Sequence, residues 1–238
     1  MLVFAHRGAS GNAPDNSLKA FQQAIAAGTK ALESDVRATL DGRLVFFHDS
    51  TVKVRGKIPV RASLIPASKY LTMDIGEGEY VPLVSDVFEH FQRAGLLHEI
   101  TWSLDIPGNK EFNRLARISN QYGIAKNIFA CNTTSTALVH WRRVAPAMLF
   151  VWSVRIRQLE HLGVNGVIET CKKRHVDVLN IKLADVTQDL VNAARNIGMK
   201  VFIWDVHDES KLKAATAFKP DAIYTNHPEK VIDGTWKA

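Results

Sequence analysis

Short apolar, β-branched-rich runs alternate with amphipathic stretches along nearly the whole 238-residue chain, and this beat constrains the fold more than any other feature. Strand candidates are Val3–His6, Ala31–Asp35, Trp102–Ile106, Ile128–Cys131, Met148–Trp152, Val178–Leu183, Val201–Val206 and Ala222–Thr225. Helical spacing falls between most of them, over residues 18–27, 84–94, 111–121, 135–144, 164–174, 187–196 and 208–218. Eight β-then-α units in a chain of this length predict an α/β fold, a single (β/α)8 barrel over residues 1–238. A doubly wound open sheet is the alternative, and it loses ground because no G-x-G-x-x-G follows the first strand. Residues 50–80 lack a clear period and hold Pro59, Pro66, Gly76 and Gly78, which predicts an irregular insertion.

Within this pattern, Leu32–Asp49 reads as a hairpin, because Asp41-Gly42 lies between two apolar runs and Arg43–His48 adds a strand to the barrel set. A two-residue turn there would set Asp35 opposite His48. Glu33 and Asp35, two residues apart on one strand, point to the same face. Two carboxylates side by side repel unless a cation lies between them, and oxygen donors favour Mg²⁺ or Ca²⁺ over zinc. A solvent-facing hairpin edge with ordinary charges is the competing reading.

A formal charge of +6 fits an anionic substrate, but the basic residues are scattered, so nucleic acid is not the expected partner. Two cysteines without a C-x-x-C spacing, no signal-peptide core and no membrane-length apolar run give a cytoplasmic expectation. The oligomeric state stays open, a homo-oligomer included.

Catalytic residues of such barrels sit at the C-terminal strand ends. Those ends carry His6 and Arg7, Glu33 and Asp35, Asp105, Asn132, Lys182, and Trp204 with Asp205, while His48 arrives on the hairpin. Each has an ordinary alternative: His6 as a core histidine, Asp105 as a turn cap before Pro107, Trp204 as packing. All of these holding together is much harder to sustain.

H-R-G at 6–8, P-D-N-S at 14–17, E-S-D-V at 33–36, T-L-D-G at 39–42 and H-D at 48–49 resemble the glycerophosphodiester phosphodiesterase family in order and spacing. V-P-L-V-S-D-V-F at 81–88, F-I-W-D-V at 202–206 and Y-T-N-H-P at 224–228 extend the resemblance over essentially the whole chain. The resemblance implies hydrolysis of small-molecule glycerophosphodiesters to sn-glycerol 3-phosphate and an alcohol, a step of lipid and glycerol metabolism. Glu33, Asp35 and Asp105 would hold one divalent cation, Mg²⁺ or Ca²⁺. Arg7 would brace the phosphate, His6 and His48 would be the general acid–base pair, and Trp204 would wall the glycerol carbons.

Three departures stand out. The family's E-x-K is Asp105-Ile106-Pro107 here, which shortens a ligand and removes a lysine; Lys182 is the expected substitute. Asp15 and Ser17 replace the Glu and Thr of P-E-N-T. Asn226 replaces the aspartate of T-D-x-P and reads as structural. A lysophospholipase D or sphingomyelinase D-like enzyme, and a non-catalytic phosphate-binding relative, are the alternatives.

Overall fold

The computed structural model describes residues 1–52 and 59–237. β1 (Leu2–Ala5) leads through α1 (Leu18–Ala26) to β2 (Ala31–Ala38), whose continuation folds back as β3 (Leu44–Phe46). Two small antiparallel hairpins follow, β4 (Thr51–Val52) with β5 (Val60–Arg61) and β6 (Asp74–Gly76) with β7 (Glu79–Tyr80). The single-turn helix α2 (Ala67–Tyr70) lies between them. After α3 (Val84–Arg93) the alternation is strict: β8 (Thr101–Asp105), α4 (Asn109–Gln121), β9 (Ile128–Asn132), α5 (Ser135–Val144), β10 (Leu149–Val154) and α6 (Ile156–Arg174). β11 (Val178–Lys182), α7 (Gln188–Arg195), β12 (Lys200–Trp204), α8 (Glu209–Ala217), β13 (Ala222–Thr225) and α9 (Pro228–Ile232) complete the chain.

The strands β1, β2, β8, β9, β10, β11, β12 and β13 pair in parallel in that order, and β13 returns to β1. This closed eight-stranded ring with helices outside it is a TIM barrel, as the alternation predicts. β3 lies outside the ring. Residues 31–35 of β2 pair with β8, and the protruding residues 36–38 pair with β3.

Each shell of the core follows from strand alternation. Inward residues Phe4, Phe129, Val151, Val178, Phe202 and Tyr224 fill the barrel interior. Outward residues such as Leu32, Trp102, Phe150 and Ile203 pack against the apolar faces of the helices. The helix stops also obey local chemistry: Ser17 caps α1 by accepting from the Ala20 N–H, and Gly28 ends it in the left-handed region. Gly163 breaks α6 with φ 63°, so helix exists upstream of the predicted start at Val164.

Two expectations need correction. The hairpin pairs Val36 with Phe46 and Ala38 with Leu44, and the Thr39 N–H donates to the Arg43 carbonyl. The loop therefore has three residues, 40–42, with Gly42 at φ 87°. Asp35 consequently bonds Phe47 rather than facing His48. The insertion is also less irregular than its sequence: around its two hairpins and α2 its described residues build a cluster, with Val52, Ile65 and Tyr70 buried against Val45 and Val81. Residues 53–58 of the predicted insertion lie outside the described residues.

Candidate active site

The C-terminal ends of the barrel strands surround a cavity of about 280 Å³, lined by residues at the end of each of the eight strands or just after it. On one side, Glu33 and Asp35 face inward from β2, and Asp35 lies in register with Asp105 of β8. Oxygens of these three carboxylates all lie within 4.8 Å of one another. Burial, then repulsion from Asp35 and Asp105, holds the Glu33 carboxyl well above the usual range. Asp105 is open to the cavity yet ringed by protein, and that loss of water, with the Asp35 charge, pushes it up to about 7. This repulsion is what a cation between the groups would relieve, and the oxygen-only donor set suits Mg²⁺ or Ca²⁺.

The carboxylates are held from the loop after β1. Arg7 and Asn16 both have left-handed backbones, with φ 57° and 59°. The Arg7 N–H donates to Glu33 Oε2 at 2.9 Å. Its guanidinium donates to Asp15 at 2.8 Å and lies 3.3 Å from Asp35 Oδ2. The buried Asn16 amide donates to Asp35 Oδ2 at 3.3 Å and accepts from Ser34 Oγ at 2.6 Å. Arg7 therefore orients two of the three carboxylates.

His6 directly follows β1, with Nδ1 2.7 Å from Asn226 Oδ1 and Nε2 3.9 Å from Glu33 Oε2. With Nδ1–H donating to Asn226, Nε2 faces the carboxylates as the free nitrogen. Burial lowers the His6 pKa and the Asn226 bond opposes that shift. The His207 ring lies 5.3 Å from His6, and its Nδ1 accepts from the Asn226 N–H at 3.2 Å. Burial, and then the neighbouring His6, lower the His207 pKa to about 4, so His207 is neutral at neutral pH and braces Asn226. His48 reaches the cavity from beyond β3; Arg37 donates to its backbone carbonyl, and Nδ1 lies 2.8 Å from Asp49 Oδ1.

Trp204 lines the cavity with 36% of its surface exposed. Lys182 is not among the lining residues: its Nζ lies 3.7 Å from Asp205 Oδ2 and 5.4 Å from the Trp204 ring centroid. Pro107 lies in a separate recess with Arg37 and Arg61, so that loop brings no cation to the cavity. Asn132 turns away as well, donating to the Ile106 carbonyl and accepting from the Thr134 N–H. The cavity's far wall is made instead by Thr133, Ser153, Arg155 and Asn180.

Sequence reasoning missed several of these. Asn226 reads as structural, yet it is the partner of His6. Ser153 and Asn180 stand out only as polar residues inside apolar strand runs near C-terminal strand ends, which is a usable signal. His207 and Arg155 carry no such mark.

Fold and site together define a TIM barrel whose mouth gathers three carboxylates that could hold a cation. The chain belongs to the glycerophosphoryl diester phosphodiesterase family, which it matches over residues 6–230, and it is thereby a phosphoric diester hydrolase. It is 28% identical, over 98% of its length and 96% of the relative's, to a glycerophosphodiester phosphodiesterase of Caldanaerobacter subterraneus subsp. tengcongensis. It is 24% identical to human Lysophospholipase D GDPD1, covering 96% of this chain and 84% of that one. Among solved structures, an Oleispira antarctica phosphodiesterase in complex with the product sn-glycerol-3-phosphate superimposes with a TM-score of 0.81 at 20% identity. That match covers 99% of this chain and 96% of the other.

Proposed function

We propose that this protein hydrolyses glycerophosphodiesters to sn-glycerol 3-phosphate and an alcohol. The observation that carries the reading is the meeting of three carboxylates with His6, Arg7 and His48 at one end of the barrel. Glu33, Asp35 and Asp105 would hold one divalent cation, Mg²⁺ or Ca²⁺, which supplies Lewis-acid neutralisation of charge on the phosphate oxygens. Arg7 keeps two of those carboxylates in place and presents its guanidinium toward the phosphate.

One histidine of the pair takes the proton from the substrate's glycerol 2-hydroxyl as that oxygen bonds to phosphorus. The other donates a proton to the alkoxide of the departing alcohol as its P–O bond breaks. The cyclic phosphate formed is then opened by water with the proton transfers reversed. Trp204 gives the glycerol carbons an apolar wall. The described part of the insertion shapes the space for the leaving alcohol, with its Ile75, and Val81 just after it, beside Arg7 and His48 in an adjoining recess. A cytoplasmic setting accords with two free, buried cysteines. No helix among the described residues is long and apolar enough to cross a membrane.

A second reading, lysophospholipids as substrates, is favoured by the human relative named above. The deciding measurement is release of glycerol 3-phosphate from glycerophosphocholine with EDTA, Mg²⁺ or Ca²⁺ as the only variable. Turnover abolished by EDTA and restored by a metal is the expected result. Turnover of lysophosphatidylcholine alone would move the assignment to the second reading, and no turnover of either would overturn both.

A further inference from the structure

We propose that Arg155 grips the substrate's phosphodiester from the side of the mouth opposite Arg7, and that the Asn180 amide beneath it takes a substrate hydroxyl. The inference deepens the phosphodiesterase reading above and rests on it. Strand order sets the geometry. β10 lies four strands from β1 in either direction around the ring, so Arg155, immediately after β10, faces Arg7 across the cavity that both line. Asn180 on β11 is likewise diametrically opposite Glu33 and Asp35 on β2.

Charge argues for a second cation there. With one divalent ion bound, that ion and Arg7 would balance the three carboxylates, so an arriving phosphodiester would bring a negative charge that they leave unmatched. Arg7 cannot answer it alone, because its guanidinium is already engaged by Asp15 and Asp35. Lys182 is turned to Asp205 and lies outside the lining. The exposed Arg155 lines the cavity, and among the described residues its guanidinium has no carboxylate within salt-bridge distance. A guanidinium presents paired N–H donors that match two phosphate oxygens, which makes it a stronger phosphate ligand than an ammonium.

Asn180 supplies the independent observation. It is only 7% exposed, in register with Ser153, and its Nδ2 donates to Ser153 Oγ at 3.0 Å. Its Oδ1 is buried with no partner. A buried acceptor left unpaired is costly, and a hydroxyl donated from a ligand in this cavity would satisfy it. A ligand carrying both a phosphate and a free hydroxyl, as the glycerophosphoryl group does, matches the wall's donor above and acceptor below.

The test is calorimetric titration with sn-glycerol 3-phosphate and with inorganic phosphate in Mg²⁺ buffer, alongside KM and kcat on glycerophosphocholine. Arg155→Gln is expected to raise the product Kd and the KM about tenfold or more, with Arg155→Lys recovering part of the loss. Asn180→Ala, checked for an intact melting transition, is expected to weaken glycerol 3-phosphate but not inorganic phosphate, which offers no glycerol hydroxyl. Arg157→Gln, an exposed charge two residues along, is the control. Wild-type affinity in Arg155→Gln, or an equal loss in Arg157→Gln, would overturn the proposal, as would a wild-type protein that binds neither anion. A wild type that binds both anions yet turns over no glycerophosphodiester would instead overturn the catalytic reading.

Discussion

Arg7 holds a backbone conformation that few non-glycine residues adopt, and the site depends on it. With φ positive, its N–H points at Glu33 while its side chain crosses to Asp15 and Asp35, so one residue orients two carboxylates. His6 and His48 are positioned differently. His6 is partly buried between Asn226 and Glu33, whereas His48 is half-exposed and tied by Arg37 through its backbone. His6→Ala and His48→Ala should each lower kcat by roughly 10²- to 10⁴-fold, the range for losing a general acid or base. Both variants should still bind a divalent cation if the three carboxylates hold it as proposed, since neither side chain is one of them. A near-wild-type rate for either removes that histidine from the mechanism. Asn226→Ala should reproduce about a tenfold part of the His6→Ala loss, with KM little changed, because it frees the His6 ring without removing it. Unchanged kcat in that variant would return Asn226 to a purely structural role.

At the scale of elements, the loop from β1 to α1 is the piece on which the site hangs. Gly8 has φ 81°, and a Cβ there would stand 2.6 Å from Ala20 of α1, so the loop lies directly on the helix. That contact seats Arg7 and Asn16, on either side of the same loop, over the carboxylates. Gly8→Ala should therefore destabilise the protein by about 2 kcal/mol or more, combining left-handed strain with overpacking. Urea denaturation measures this directly. A change within about 0.5 kcal/mol would mean the loop rearranges freely and does not depend on this approach. The β2–β3 hairpin has a comparable role, because its three-residue turn sets how far the chain runs before His48 leaves the strand.

Across the whole molecule, barrel closure decides what solvent can reach. Cys131 faces the barrel interior beside Ser103, and Cys171 is buried in the helix–sheet layer. Burial pushes the Cys171 thiol up to about 12, and burial with the nearby Asp105 charge raises Cys131 as well. Neither thiol should react with a disulfide reagent at pH 8 until the chain unfolds, so labelling reports global opening. Rapid labelling of folded protein would show the barrel to be locally open. The sign of the alkaline effect follows. Between the ordinary thiol pKa of 9.0 and about 12, unfolded chains lose the Cys171 proton and folded ones keep it, so this group's contribution to stability is lost as pH rises through that window.

How much of this was legible beforehand divides along a physical line. Alternation of period 2 and period 3.6 is local, and it alone determined the eight β–α units, the barrel class and the strand ends on which Glu33, Asp35 and Asp105 meet. The motifs around His6, Arg7 and His48 are likewise contiguous in sequence, and they carried the family. What only the tertiary structure decided depends on contacts between distant residues. The hairpin register slipped by one because Gly42's left-handed backbone, not the Asp-Gly pair itself, sets the loop length. Asn226 reaches His6 across 220 positions of chain because β13 closes the ring beside β1. Lys182 turns to Asp205 while Arg155 lines the cavity, a choice made by which neighbour each long side chain finds at its strand end. No spacing rule encodes that choice, since ring closure brings those neighbours together only after every strand is in place.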